Sequence, residues 1–192
     1  MRLGILISGN GSNMLNISKA CESGELNAVV SIVISNKDSV GIKKARNFGL
    51  NALILNPKNY KSKESYEKEI TNALKINKVS LVCLAGYMSI LGTSFTTTWK
   101  NKVINIHPSL LPAFKGKNAQ LQALKKGVKY SGCTIHYVTD KLDSGKIIDQ
   151  NIVKIDDRET EKTLTKKILI EEHKLYIKVL KKLTKGSVYE YG

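Results

Sequence analysis

Short apolar runs alternate with stretches of helical spacing through the first two thirds of the chain, and this alternation constrains the fold more than any other feature. Residues 3–7, 29–34, 52–55, 81–85, 103–106, 134–138 and 146–155 read as short buried strands. Helical patterns at 12–22, 40–48, 63–77 and 118–125 lie among them. Strand–helix repetition of this kind builds a parallel sheet with helices packed on both faces. Only the short turn 140–145 separates the last two strands, which predicts an antiparallel pair there. The expected fold is therefore α/β and Rossmann-like: a mostly parallel central sheet, helices on both faces, and an antiparallel strand pair toward the C-terminus. No repeat, low-complexity tract or linker divides the sequence, so residues 1–192 read as a single domain.

Composition removes several classes of function. At 42% apolar and 24% charged residues the chain is globular rather than disordered. No apolar run approaches the roughly 18 residues of a membrane span. The N-terminus enters its first strand at once, with no long apolar region ahead of a small-residue cleavage site, so a cytoplasmic protein is expected. Cys21, Cys83 and Cys133 lie far apart, without a CxxC pair, and the histidines are His107, His136 and His173. Neither a structural zinc site nor a disulfide framework fits that spacing, and no metal is expected.

The net charge of +15 comes from 31 basic against 16 acidic residues, and Arg2, Arg46 and Arg158 are the arginines. Nucleic-acid readers favour arginine forks and aromatic stacking platforms. Here the basic residues are overwhelmingly lysines spread along the chain and aromatic residues are 6%, so no nucleic-acid partner is expected. The charge reads either as a solvated lysine surface or as a field that steers an anionic ligand.

Three segments and one anomaly carry candidate chemistry. The hexapeptide SGNGSN at 8–13 follows the first strand and opens the first helix. Its glycines let a ligand approach the backbone, and the helix N-terminus offers unpaired N–H groups to an anion. Met14 stands where a dinucleotide fingerprint needs its third glycine, and Ser35-Asn36-Lys37 follows the second strand in place of an acidic residue. A phosphomonoester site at Gly11, Ser12 and Asn13 remains, beside the plainer reading of a tight turn with Ser12 as helix cap.

The segment VINIHPSLLP at 103–112 ends a strand with Asn105 and His107 on one side of it. Ligand crevices border the carboxyl ends of parallel strands. An amide and an imidazole aimed at one point form an oxyanion site, although a strand-end histidine is also an ordinary structural residue. The loop TDKLDSGK at 139–146 supplies carboxylates, of which Asp143 is the preferred partner for the imidazole. A carboxylate beside an imidazole raises the pKa of the ring and so favours a general acid near neutral pH. Asp140 by itself reads as turn chemistry. The anomaly is Glu172, which interrupts the apolar stripe Leu164, Ile168, Leu175, Val179 and Leu183 of the last helix. Either the helix is rotated so that Glu172 reaches a rim, or the carboxylate points into a polar cleft and meets a ligand.

With those residues in view, the sequence resembles the folate-dependent phosphoribosylglycinamide formyltransferase family over nearly its whole length. GNGSN at 9–13, AGYM at 85–88, NIHPSLLP at 105–112 and D-x-L-D-x-G at 140–145 occur in the family's order, joined by FKGKNAQLQAL at 114–124 and EEH at 171–173. NIHPSLLP alone marks folate formyltransferases broadly, and GNGSN points to the purine-pathway branch. The resemblance implies transfer of the formyl group of 10-formyltetrahydrofolate to the amine of glycinamide ribonucleotide, in purine (IMP) biosynthesis. It implies Asn105, His107 and Asp143 as the catalytic trio, with no metal and no covalent intermediate. Gly11, Ser12 and Asn13 would hold the substrate phosphate and Glu172 its ribose hydroxyls. Met88, Ser89, Ile90 and Leu91 would line the folate site with Asn105, Lys63 and Asp140.

Two departures bear on folate. Ser89 stands where many relatives carry arginine, and Lys63 occupies another commonly arginine position, both expected near the glutamate tail. The expected consequence is a raised KM for monoglutamyl folate. A third departure, Tyr176-Ile177 in place of Tyr-Pro, predicts a final helix without a kink. Methionyl-tRNA formyltransferases share HPSLLP but add a C-terminal domain, and formyl-folate hydrolases add an N-terminal one, so both fit a 192-residue chain less well. Monomer and homodimer both remain open.

Overall fold

The computed structural model describes residues 1–185, so the last residues of the domain expected over 1–192 lie outside those described. Among the described residues seven strands form one sheet: β1 (Arg2–Ile7), β2 (Val29–Ser35), β3 (Ala52–Ile54), β4 (Leu81–Leu84), β5 (Val103–His107), β6 (Tyr130–Tyr137) and β7 (Ile147–Lys154). Their order is β3-β2-β1-β4-β5-β6-β7. The pairings from β3 to β5 are parallel, and those of β5 with β6 and β6 with β7 are antiparallel. The expected Rossmann-like sheet is present, and its antiparallel region extends beyond the final hairpin to include the β5–β6 pairing.

Alternation along β1 divides the core. Leu3, Ile5 and Ile7 face one cluster and Leu6 the other, as successive side chains of a strand point to opposite faces. The first cluster is covered by α1 (Ser12–Glu22), α2 (Val40–Asn47), α5 (Ala119–Lys126) and α6 (Glu161–Thr184). The second is covered by α3 (Lys63–Ile76) and α4 (Thr93–Thr98). Gly4 lies on the α3 side because a Cβ there would sit 2.5 Å from Leu74 Cδ2.

Two elements differ from the sequence reading for physical reasons. Strand β6 begins at Tyr130 rather than at 134, because Gly132 passes so close to β7 that a Cβ would meet Asn151 O. A glycine in a strand reads as a breaker in sequence, while here close backbone approach requires it. Helix α4 has no counterpart in the sequence reading: its TSFTTT sequence is poor in helix formers, and burial of Phe95 and Trp99 in the α3-side core overrides propensity. The final helix runs unbroken from Glu161 to Thr184, and Tyr176 is buried within it, donating its hydroxyl to Leu84 O at 2.9 Å. No helix among the described residues is long and apolar enough to cross a membrane.

Candidate active site

The loop after β1 is fixed by its neighbours on both sides. Ser8 donates its N–H to Gly86 O at 3.1 Å, and Met88 N–H donates to Ser8 Oγ at 2.9 Å. Those two bonds join the SGNGSN turn to the AGYM segment after β4. On the other side, Gly41 N–H donates to Gly9 O at 2.9 Å. Gly11 caps α1 in the left-handed region, at φ 68°, and a Cβ on it would lie 2.9 Å from Gly41 Cα. Ser12 is the first residue of α1 and does not cap it, since the cap residue is Gly11 and no side-chain cap bond forms. The first-turn N–H groups of a helix have no partner within it, so this turn offers donors to an anion.

Asn13 and Glu172 meet under that turn. Asn13 Nδ2 donates to Glu172 Oε2 at 2.8 Å, with both residues buried. The rotated-helix alternative for Glu172 is thereby corrected: the carboxylate points inward, against α1. Burial pushes its pKa up to about 7, with the Asn13 bond opposing. Asn13 Oδ1 is buried without a hydrogen-bond partner among the described residues.

The second cluster lies at the end of β5. Asn105 and His107 share a face, two residues apart on the strand. His107 is 5% exposed. Its Nε2 lies 2.9 Å from Phe114 O, which can only accept, so Nε2 carries a proton. Its Nδ1 lies 3.4 Å from Asp143 Oδ2. A ring between a carbonyl and a carboxylate is satisfied at both nitrogens only when both carry protons. The same Asp143 oxygen accepts from Gly116 N–H at 2.8 Å. Because β6 runs antiparallel to β5, the loop after it starts beside Val103 and returns to bring Asp143 to His107.

Backbone strain gathers here. Phe114, Asn118 and Asp143 adopt left-handed φ values of 55°, 57° and 45°. Such conformations cost energy in non-glycine residues and collect where surrounding structure enforces them at working sites. The segment after His107 is clamped by Thr134, whose hydroxyl donates to Ser109 O at 2.7 Å and accepts from Leu111 N–H at 3.0 Å.

The residues expected around folate are divided. Lys63, Ser89 and Ile90 line one cavity of about 440 Å³ with Tyr60, Tyr66 and Tyr87. Ser89 Oγ accepts from Asn36 Nδ2 at 3.0 Å, and Lys63 Nζ lies 3.8 Å from Glu67. Met88 is exposed on the adjoining surface, Leu91 is buried in the core, and neither borders this cavity. Asp140 is exposed in the Asp143 loop, also away from the cavity.

Three residues escape the sequence reading. His136 lies opposite Asn105 across the β5–β6 pairing, with its Nε2 3.3 Å from Asn105 Nδ2. Strand phase could have found it, since His136 shares a face with Thr134 in the expected strand 134–138. Gly41 and the buried Glu67, which accepts from Gly92 N–H at 2.8 Å, have no local signal.

The chain is similar to known proteins over nearly its whole described length. The formyl transferase family matches residues 1–180. The phosphoribosylglycinamide formyltransferase of Bacillus subtilis is 37% identical over 95% of this chain and 94% of its own length. The human trifunctional purine biosynthetic protein adenosine-3 is 40% identical over 97% of this chain, which spans 19% of that protein. The crystal structure of glycinamide ribonucleotide transformylase 1 from Symbiobacterium toebii superposes with a TM-score of 0.97 at 40% identity, covering 100% of this chain and 91% of that one. Agreement in fold, and in sequence across nearly the full length of a bacterial relative, places this chain in the formyl transferase family, with the phosphoribosylglycinamide formyltransferases.

Proposed function

We propose that this protein transfers the formyl group of 10-formyltetrahydrofolate to the amine of glycinamide ribonucleotide, as a single formyltransferase domain in cytoplasmic purine biosynthesis. The observation that carries the reading is His107, held between Phe114 O and Asp143 with Asn105 on the same strand face. In this reading the substrate amine attacks the formyl carbon and the C–N bond forms. Asn105 Nδ2–H and the positive charge of doubly protonated His107 stabilise the oxyanion that develops. Asp143 keeps the charge on the imidazole and helps a water carry the proton from the amine to the leaving nitrogen. The bond to that nitrogen then breaks, giving the N-formyl product and tetrahydrofolate.

The N–H groups at Gly11, Ser12 and Asn13 receive the substrate phosphate, and Glu172 accepts from the ribose hydroxyls. Lys63, Met88, Ser89, Ile90, Leu91, Asn105 and Asp140 serve the folate. The lysine-rich surface favours approach of both anionic substrates.

Single-turnover transfer between these two substrates, comparing wild type with His107→Ala, tests the proposal. Transfer by wild type that collapses in the variant supports it. Formate release without transfer makes the protein a hydrolase, and no reaction from folded protein removes this substrate pair.

A further inference from the structure

Asn105 can serve an oxyanion only if its NH₂ end, not its carbonyl, faces the reacting carbon, and an amide on a strand has no intrinsic preference between the two. The neighbouring strand supplies one. His136 is 2% exposed and sits directly across from Asn105. Its Nδ1 lies 2.9 Å from Tyr137 O, an obligatory acceptor, so Nδ1 bears the proton. In the neutral ring Nε2 is then a bare acceptor, and it lies 3.3 Å from Asn105 Nδ2. A flipped amide would set Oδ1 against that lone pair. The backbone of β6 also favours this contact. Its register with β7 shifts between Ile135 and His136, and a bulge re-aims the side chain it carries.

We infer that His136 is a positioning residue for formyl transfer: as the Nδ1–H tautomer it accepts from Asn105 and fixes the amide with its second N–H toward the reacting oxygen. The inference rests on the proposed formyl transfer only for its kinetic consequence, while the tautomer and the amide bond stand on their own. Charged and titratable groups around His136 are Asp143, whose Oδ1 is 3.7 Å from Nε2, His107 and Lys115. Burial holds the His136 pKa below the ordinary histidine value, with Asp143 opposing and His107 and Lys115 reinforcing. Protonation at Nε2 would remove the acceptor, release the amide and draw Asp143 away from His107.

Two measurements test this. Nitrogen-15 NMR of the ligand-free protein reads the ring directly: a protonated Nδ1 with an acceptor-type Nε2 on His136 supports the inference, and the opposite tautomer overturns it. Kinetics then compare His136→Leu with His136→Gln, whose side-chain oxygen can replace the acceptor, after circular dichroism establishes that both fold. The expected result is a kcat about 10- to 100-fold lower for the leucine variant, with both KM values near wild type. The glutamine variant should regain most of the rate and lose the portion of the acid limb that His136 contributes. Unchanged kcat in the leucine variant, or equal losses in both folded variants, overturns the inference. A wild-type protein inactive with this substrate pair overturns the proposed function instead, and the NMR result alone then decides the anchoring of Asn105.

Discussion

Asn13 and Glu172 are 159 residues apart in sequence and 2.8 Å apart in the fold, an amide donating to a buried carboxylate beneath the glycine turn. The bond satisfies one oxygen of a group that burial otherwise penalises. The folded protein therefore holds the Glu172 proton up to about pH 7, whereas an ordinary glutamate releases it near 4.5. Stability from this group is present below pH 4.5 and is lost as pH rises through about 7. Glu172→Gln keeps an acceptor for Asn13 and carries no charge. Its melting temperature relative to wild type should rise with pH, with an advantage on the order of 3 kcal/mol above pH 8. Thermal melts at pH 5 and pH 9 check this, and a difference that does not change with pH contradicts it.

Asp143→Asn separates charge from shape. Asparagine tolerates the left-handed backbone that Asp143 adopts and keeps an oxygen for Gly116 N–H. The negative charge opposite His107 Nδ1 is lost. We expect normal folding with a transfer step slower by about 100-fold or more. Single-turnover kinetics are the measurement, and a near-wild-type rate removes Asp143 from the chemistry.

Ser89→Arg should strengthen the folate site. Ser89 and Lys63 share a cavity, and Lys63 is already drawn toward Glu67. A guanidinium there adds a bidentate partner for a carboxylate, worth about 1–2 kcal/mol, so the KM for monoglutamyl folate should fall about 5- to 30-fold. The KM for the ribonucleotide should not move. An unchanged folate KM means the cavity does not receive the glutamate tail.

Gly41→Ala probes the other substrate. A Cβ at Gly41 would lie 2.5 Å from Gly9 O and 3.1 Å from Gly11 N, so the glycine turn must shift. Overpacking of this kind costs about 1–3 kcal/mol. The expected signature is a lower melting temperature together with a raised KM for the ribonucleotide and an unchanged KM for folate. A parallel rise in both KM values would mean that the turn serves both sites.

Much of this is legible in sequence because the relevant signals are local. Strand-length apolar runs announce the sheet, the glycine turn announces the start of α1, and a two-residue spacing puts Asn105 and His107 on one face. Glu172 is visible as an anomaly because a carboxylate in an apolar stripe demands a partner, but its partner on α1 is not. What stays hidden depends on register between strands and on contacts across loops. His136 gains its place opposite Asn105 only through the antiparallel β5–β6 pairing, and Gly41 matters only because another loop lies against it. Gly132 misleads for the same reason, since nothing nearby in sequence announces β7.

The position of α6 has a consequence for the order in which the protein takes shape. The central strand β1 and the turn that follows it leave the ribosome before α6, which packs on α1, α5, β6 and β7. A nascent chain lacking α6 has no carboxylate for Asn13 and no tyrosine to bond Leu84 O. Synthesis at about 5–20 residues per second then separates the emergence of the turn from that of its partner by roughly 10–30 s. The floor beneath the glycine turn is thus completed only once α6 has emerged, and unfinished chains carry the turn without it.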